Sequence, residues 1–156
     1  MNDKPRIAIA VGDPAGIGPE VSLKAALDPA VRDACRVLLV GDAGVLKRHA
    51  EACRIAADLR VIARPEDGDW SGERLNVVDC ARPDLAALDF GTISAASGRA
   101  ALAFASTAIK AALADEVDAV VAAPQNETSI ALAGIAFDGY PSFVARETGT
   151  DGDDIY

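Results

Sequence analysis

The chain has 156 residues, 51% of them hydrophobic but only 4% aromatic, with a formal net charge of −9. That length suits one domain with a real core built from Ala, Val, Leu and Ile. The acidic balance argues against nucleic acid or an anionic membrane surface as partner, so a bound phosphate would need a local device of backbone N–H groups or a few basic side chains.

Residues 6–20, RIAIAVGDPAGIGPE, form the stretch on which the chain's organisation turns. The run 7–11 is apolar, β-branched and too short for a helix, so it reads as a strand covered on both faces. Gly12, Gly16 and Gly18 are then expected to take positive φ in a sharp turn. Pro19 suits the first position of a helix, and Glu20 lies in its first turn, where the dipole favours a carboxylate. The spacing G-x-x-x-G-x-G is neither a dinucleotide fingerprint nor a phosphate loop with Lys-Ser/Thr. Two readings of the loop stand: ligand contact at a strand's C-terminal end, or a plain tight connection. Asp13 likewise either holds its own turn or serves as a site carboxylate.

Val21, Leu23, Ala26 and Leu27 form a helical stripe ending near Asp28 and Pro29. Residues 37–40 read as a second strand, 43–52 as a helix carrying Val45, Leu46 and His49, and 59–62 as a third strand. A polar turn region spans 64–74, with Pro65, Gly68 and Gly72. A weaker fourth strand covers 75–78, and 79–89 reads as a loop with a turn at Pro83. The strongest helix is 94–116, with an alanine-rich face and Ser94 or Ser97 as cap. Residues 118–123 return as a strand ending at Pro124. Short helices are expected at 128–133, stopped by Gly134, and at 141–147, stopped at Gly149. After a polar turn, Ile155-Tyr156 resembles the start of another strand. Alternating strands and helices predict an α/β fold, with a parallel or mixed sheet and helices on both faces.

Cys35, Cys53 and Cys80 are odd in number and widely spaced, so reduced thiols in a cytoplasmic protein are expected. No signal-peptide or membrane-spanning pattern is evident. His49, the only histidine, is expected to be exposed or partly packed, because a divalent metal needs several convergent donors. No metal site can be assembled from this chain by sequence. Lys110 and Arg146 are read as solvated helix charges rather than anion ligands.

The string GDPAGIGPE after an N-terminal strand resembles the signature of the 4-hydroxythreonine-4-phosphate dehydrogenase family. Residues 91–104, GTISAASGRAALAF, and 119–135, AVVAAPQNETSIALAGI, resemble two further segments of that family in the expected order. The resemblance implies the N-terminal half of a two-domain dehydrogenase with the isocitrate/isopropylmalate dehydrogenase fold, the second half lying outside these 156 residues, which alone would be inactive. It also implies NAD, a divalent metal (Zn, Mg or Mn) held by histidines C-terminal to this stretch, a small hydroxy-acid substrate oxidised and then decarboxylated, and a homodimer. Gly12, Asp13, Gly16, Gly18 and Glu20 would line the cleft. Where the family has Gly-His-Thr-Glu, this chain has Gly139-Tyr140-Pro141-Ser142. Many members carry a basic residue at the position of Glu127, beside Asn126. Tyr140, Pro141, Ser142, Asn126 and Glu127 are therefore aligned but substituted substrate-binding positions. Glu127 would repel an anionic group. These departures imply a divergent subgroup whose substrate lacks the phosphate, such as a cyclic dihydrodiol carboxylate. The local readings stay open beside them: Tyr140-Pro141 as a helix start, and residues 125–128 as a turn and cap. A non-catalytic fragment that binds an anion or a partner is the rival from another class.

Overall fold

The computed structural model describes residues 4–70 and 74–151. The expected strand start at Ile155-Tyr156 and the turn glycine Gly72 lie outside the described residues. Five strands, β1 (Arg6–Ala10), β2 (Arg36–Gly41), β3 (Leu59–Ile62), β4 (Leu75–Asp79) and β5 (Ala119–Ala122), form one sheet in the order β3-β4-β2-β1-β5. Every pairing is parallel, with Ile7 opposite both Val37 and Ala119, so the sheet is parallel and not mixed. Ala8, Ile9 and Ala10 of β1 are buried, as a strand flanked on both edges and both faces requires.

The helices are α1 (Gly18–Leu27), α2 (Pro29–Ala34), α3 (Ala43–Ala52), α4 (Ala95–Leu113), α5 (Glu127–Leu132) and α6 (Tyr140–Thr148). The β1-to-β2 and β2-to-β3 crossovers run one way along the sheet, and the β4-to-β5 crossover runs back across it. With right-handed connections, α1 and α3 cover one face, where they pack on each other, and α4 covers the other. Alanines at 100, 101, 105 and 108 let α4 approach β1, β2 and β5 closely, and Phe104 between them is fully buried. A side chain of that size contributes about 1.5–3 kcal/mol by leaving water.

Two expectations change. α2 has no counterpart among the expected elements, because none of its residues is buried and it carries no apolar stripe. What makes it is Asp28, whose carboxylate accepts from Ala30 N (2.8 Å) and Val31 N (3.3 Å), with Pro29 in the first turn. β4, expected to be weak, is an interior strand with four buried residues. Asn76 interrupts its apolar run, but its side chain accepts from Asp69 N (3.1 Å) and donates to Asp69 O (3.0 Å). A buried amide so satisfied costs the strand little.

Candidate functional site

β1 and β5 are adjacent and parallel, so the loops after their C-terminal ends lie side by side at the end of the sheet where open α/β folds place a ligand crevice. The two loops there touch. Asp13 N donates to Pro124 O at 3.0 Å. Gly12 has φ +71°, and a Cβ on it would lie 2.2 Å from Pro124 O and 2.8 Å from Ala123 O. Only glycine permits that approach. The expectation of positive φ at all three loop glycines holds at Gly12 alone. Gly18 is required for space instead, since a Cβ there would meet Val11 O at 2.2 Å, while Gly16 has only ordinary contact with Asp13. The helix begins at Gly18, one residue before Pro19.

Asp13 is buried and holds its own turn: its Oδ1 accepts from Ala15 N at 2.8 Å, and its carbonyl accepts from Gly16 N at 3.0 Å. Burial pushes its carboxyl above the ordinary aspartate value, against the opposing hydrogen bonds of Ala15, Ser97 and Gly16. The contact with Ser97 brings the first turn of α4 to the loop, an end whose dipole favours a carboxylate. Ser94 caps α4, its Oγ accepting from Ser97 N at 3.1 Å, and Ser94 N donates to Ser129 Oγ at 3.2 Å. A Cβ on Gly98 would sit 2.2 Å from Ser129 O, so α4 and α5 cross in backbone contact. Asn126 caps α5, accepting from Ser129 N at 2.9 Å. Beside it, Gln125 Oε1 is buried without a hydrogen-bond partner.

The sequence-predicted residues separate into two groups. Gly12, Asp13, Gly16 and Gly18 share the loop packed on the Ala123–Pro124 turn at the crevice, and Asn126 caps the helix that follows that turn. Tyr140 reaches its wall, donating its hydroxyl to Ala123 O at 3.2 Å, the same carbonyl that Gly12 approaches. Burial pushes its phenol up to about 12. The ring also lines an apolar groove of about 420 Å³ with Ala105, Ile109, Val120 and Val144. The others turn elsewhere. Glu20 pairs with Lys24, which holds its carboxyl below the ordinary value, with Cys53 also bonded to it. Glu127 is exposed in the first turn of α5, one residue earlier than the expected helix start. Pro141 is exposed in the first turn of α6, which begins at Tyr140, and Ser142 bonds to Asp138.

His49 departs from its expected exposure. It is buried, its Nε2 lies 2.9 Å from Pro14 O, and its ring centroid is 4.0 Å from that of Phe90. No periodicity could reveal this contact, because its partner is 35 residues away. Ser129 carried no such signal, whereas Ser94 and Ser97 were both expected as possible caps and Ser94 is the one that caps α4. Among the described residues, no group of three or more His, Cys, Asp or Glu side chains is placed to hold a metal ion. The described cysteines carry free thiols. No described helix is long and apolar enough to cross a membrane.

Residues 33–155 match the profile of the family described as pyridoxal phosphate biosynthetic protein PdxA. A relative from Symbiobacterium thermophilum, whose name describes a D-threonate 4-phosphate dehydrogenase, is 35% identical over 96% of this chain and 45% of its own length. The crystal structure of a 4-hydroxythreonine-4-phosphate dehydrogenase from Burkholderia phymatum superimposes with a TM-score of 0.90 at 30% identity, over 96% of this chain and 45% of that one. A terephthalate 1,2-cis-dihydrodiol dehydrogenase from Burkholderia xenovorans LB400 gives a TM-score of 0.77 at 39% identity, over 97% of this chain and 43% of that one. The chain thus spans less than half the length of these relatives.

Proposed function

Since the chain belongs to the pyridoxal phosphate biosynthetic protein PdxA family, we propose that it supplies the N-terminal half of a dehydrogenase that oxidises a small hydroxy acid, with NAD as hydride acceptor and a divalent metal. The observation that carries this reading is the crevice itself. The glycine loop after β1 is pressed onto the β5 turn by a contact only Gly12 allows, and α4 closes it with a capped N-terminus. Nicotinamide would take the hydride, and a metal would polarise the alcohol and the keto acid that decarboxylates. In this reading the residues of this chain position the substrate and exclude water; among the described residues no group of three or more His, Cys, Asp or Glu could hold the metal. In this reading the protein works as a cytoplasmic homodimer.

A second reading shares the chemistry and differs in substrate: a cyclic dihydrodiol carboxylate, without phosphate. Three observations favour it. The dihydrodiol dehydrogenase is 39% identical to this chain. Tyr140 presents an aromatic ring with an apolar groove beside it. Where many members of the family carry a basic residue, this chain carries Glu127, whose charge would repel a phosphate.

Tyr140 is the residue to test. Replacing Tyr140 by Phe in the complete protein removes the bond to Ala123 O while keeping the ring. We expect kcat/KM to fall by about tenfold, the equivalent of roughly 1.4 kcal/mol. Unchanged kinetics would remove Tyr140 from the pocket.

A further inference from the structure

We propose that Arg48 and His49, neighbours on α3, form a clamp that positions the 13–17 loop for its ligand. The proposal rests on the reading that this loop lines the ligand cleft.

Asp13 is tied to Pro124 O and to Ser97. Beyond Asp13, two further outside donors hold the loop against the rest of the molecule, and they grip consecutive carbonyls. His49 Nε2 lies 2.9 Å from Pro14 O, and Gly91 N donates to Ala15 O at 2.7 Å. A carbonyl only accepts, so Nε2 must carry the proton in the first bond. Pro14 is fully buried and His49 nearly so, which leaves Pro14 O no water to replace a lost donor.

Gly91 in turn is held from α3. The Arg48 guanidinium donates to Leu85 O and Leu88 O, each at 2.8 Å. It also stands 5.5 Å from the centroid of the Phe90 ring, whose other neighbour is His49 at 4.0 Å. Phe90 is 43% exposed. Burial alone therefore does not hold it; the contacts with Arg48 and His49 do. One helix thus sets both the segment that follows β1 and the segment that leads into α4. A planar guanidinium gripping two carbonyls is a geometry lysine cannot reproduce.

The test is hydrogen–deuterium exchange on the complete protein, comparing His49→Phe, His49→Gln and Arg48→Lys with the parent. Glutamine keeps an N–H donor near Nε2; phenylalanine keeps only the ring. We expect amides of residues 15–17 to exchange about tenfold faster or more in His49→Phe and to return close to the parent rate in His49→Gln. Arg48→Lys should speed residues 89–92 and 15–17 together. The interior of α4 should stay at the parent rate in all three. Unchanged loop exchange in His49→Phe would overturn the proposal, as would equal loss in His49→Gln or equal acceleration of α4. In active protein, KM should rise in His49→Phe and recover in His49→Gln. Exchange needs no substrate, so the clamp and the dehydrogenase reading fail separately.

Discussion

Asp13 shows how one side chain can serve a loop and still work against stability. It is buried with backbone N–H groups as partners, and desolvation outweighs them, so its folded-state carboxyl sits above 3.8. A raised acid binds more protons folded than unfolded. Stability therefore falls as pH rises from 3.8 through the higher folded value, and the loss persists at neutral pH. Asp13→Asn keeps an acceptor for Ala15 N and removes the charge. We expect it to melt higher than the parent at pH 7 and to lose its share of the pH dependence, while turnover falls. Stabilising changes at functional positions commonly cost activity in this way. A lower melting temperature at pH 7 would show that the charge is compensated in the fold. The Asp13 turn was readable locally, because an aspartate bonds two residues on. His49 was not: its role depends on Pro14 and Phe90, which only the tertiary fold brings to it.

At the scale of elements, two helices that shape the crevice meet on Ser129. Ser94 caps α4 and donates its N–H to Ser129 Oγ, while Asn126 caps α5 by accepting from Ser129 N. Ser94→Ala and Asn126→Ala should each lower the unfolding free energy by about 1 kcal/mol. Ser94→Ala loses the bond from Ser97 N but keeps its own N–H bond to Ser129 Oγ, so the double variant should be additive to within about 0.5 kcal/mol in denaturant titrations. A larger departure would mean that the two caps are coupled through the contact of α4 with α5. Long elements with strong periodicity were legible in the sequence: the five strands, α1, α3 and α4 lie where their apolar patterns place them, with ends shifted by a few residues. α2 has no buried residue and hence no pattern, and the polar Asn76 disguised β4 as a marginal strand. Glu20 lies in the first turn of a helix as expected and Glu127 opens α5 where a turn and cap were expected, but neither position says which way a carboxylate turns.

For the whole molecule, the parallel sheet brings the C-terminal ends of β1 and β5 side by side, and the chain belongs to a family whose relatives are named as dehydrogenases. This chain spans less than half the length of relatives named as dehydrogenases, and turnover is proposed for the protein as a whole. The central claim is the proposed oxidation of a hydroxy acid, and the second reading, which rests on Tyr140, Pro141 and Glu127, proposes a substrate without phosphate. The most direct measurement is the initial rate of NAD reduction by the complete protein with a divalent metal. The substrates to compare are 4-hydroxythreonine 4-phosphate, D-threonate 4-phosphate and a cyclic cis-dihydrodiol carboxylate. The account predicts reduction of NAD, with kcat/KM at least about tenfold higher for the substrate without phosphate. Preference for a phosphorylated substrate would contradict the reading of Glu127 and Tyr140, and no reduction with any of the three would contradict the dehydrogenase itself.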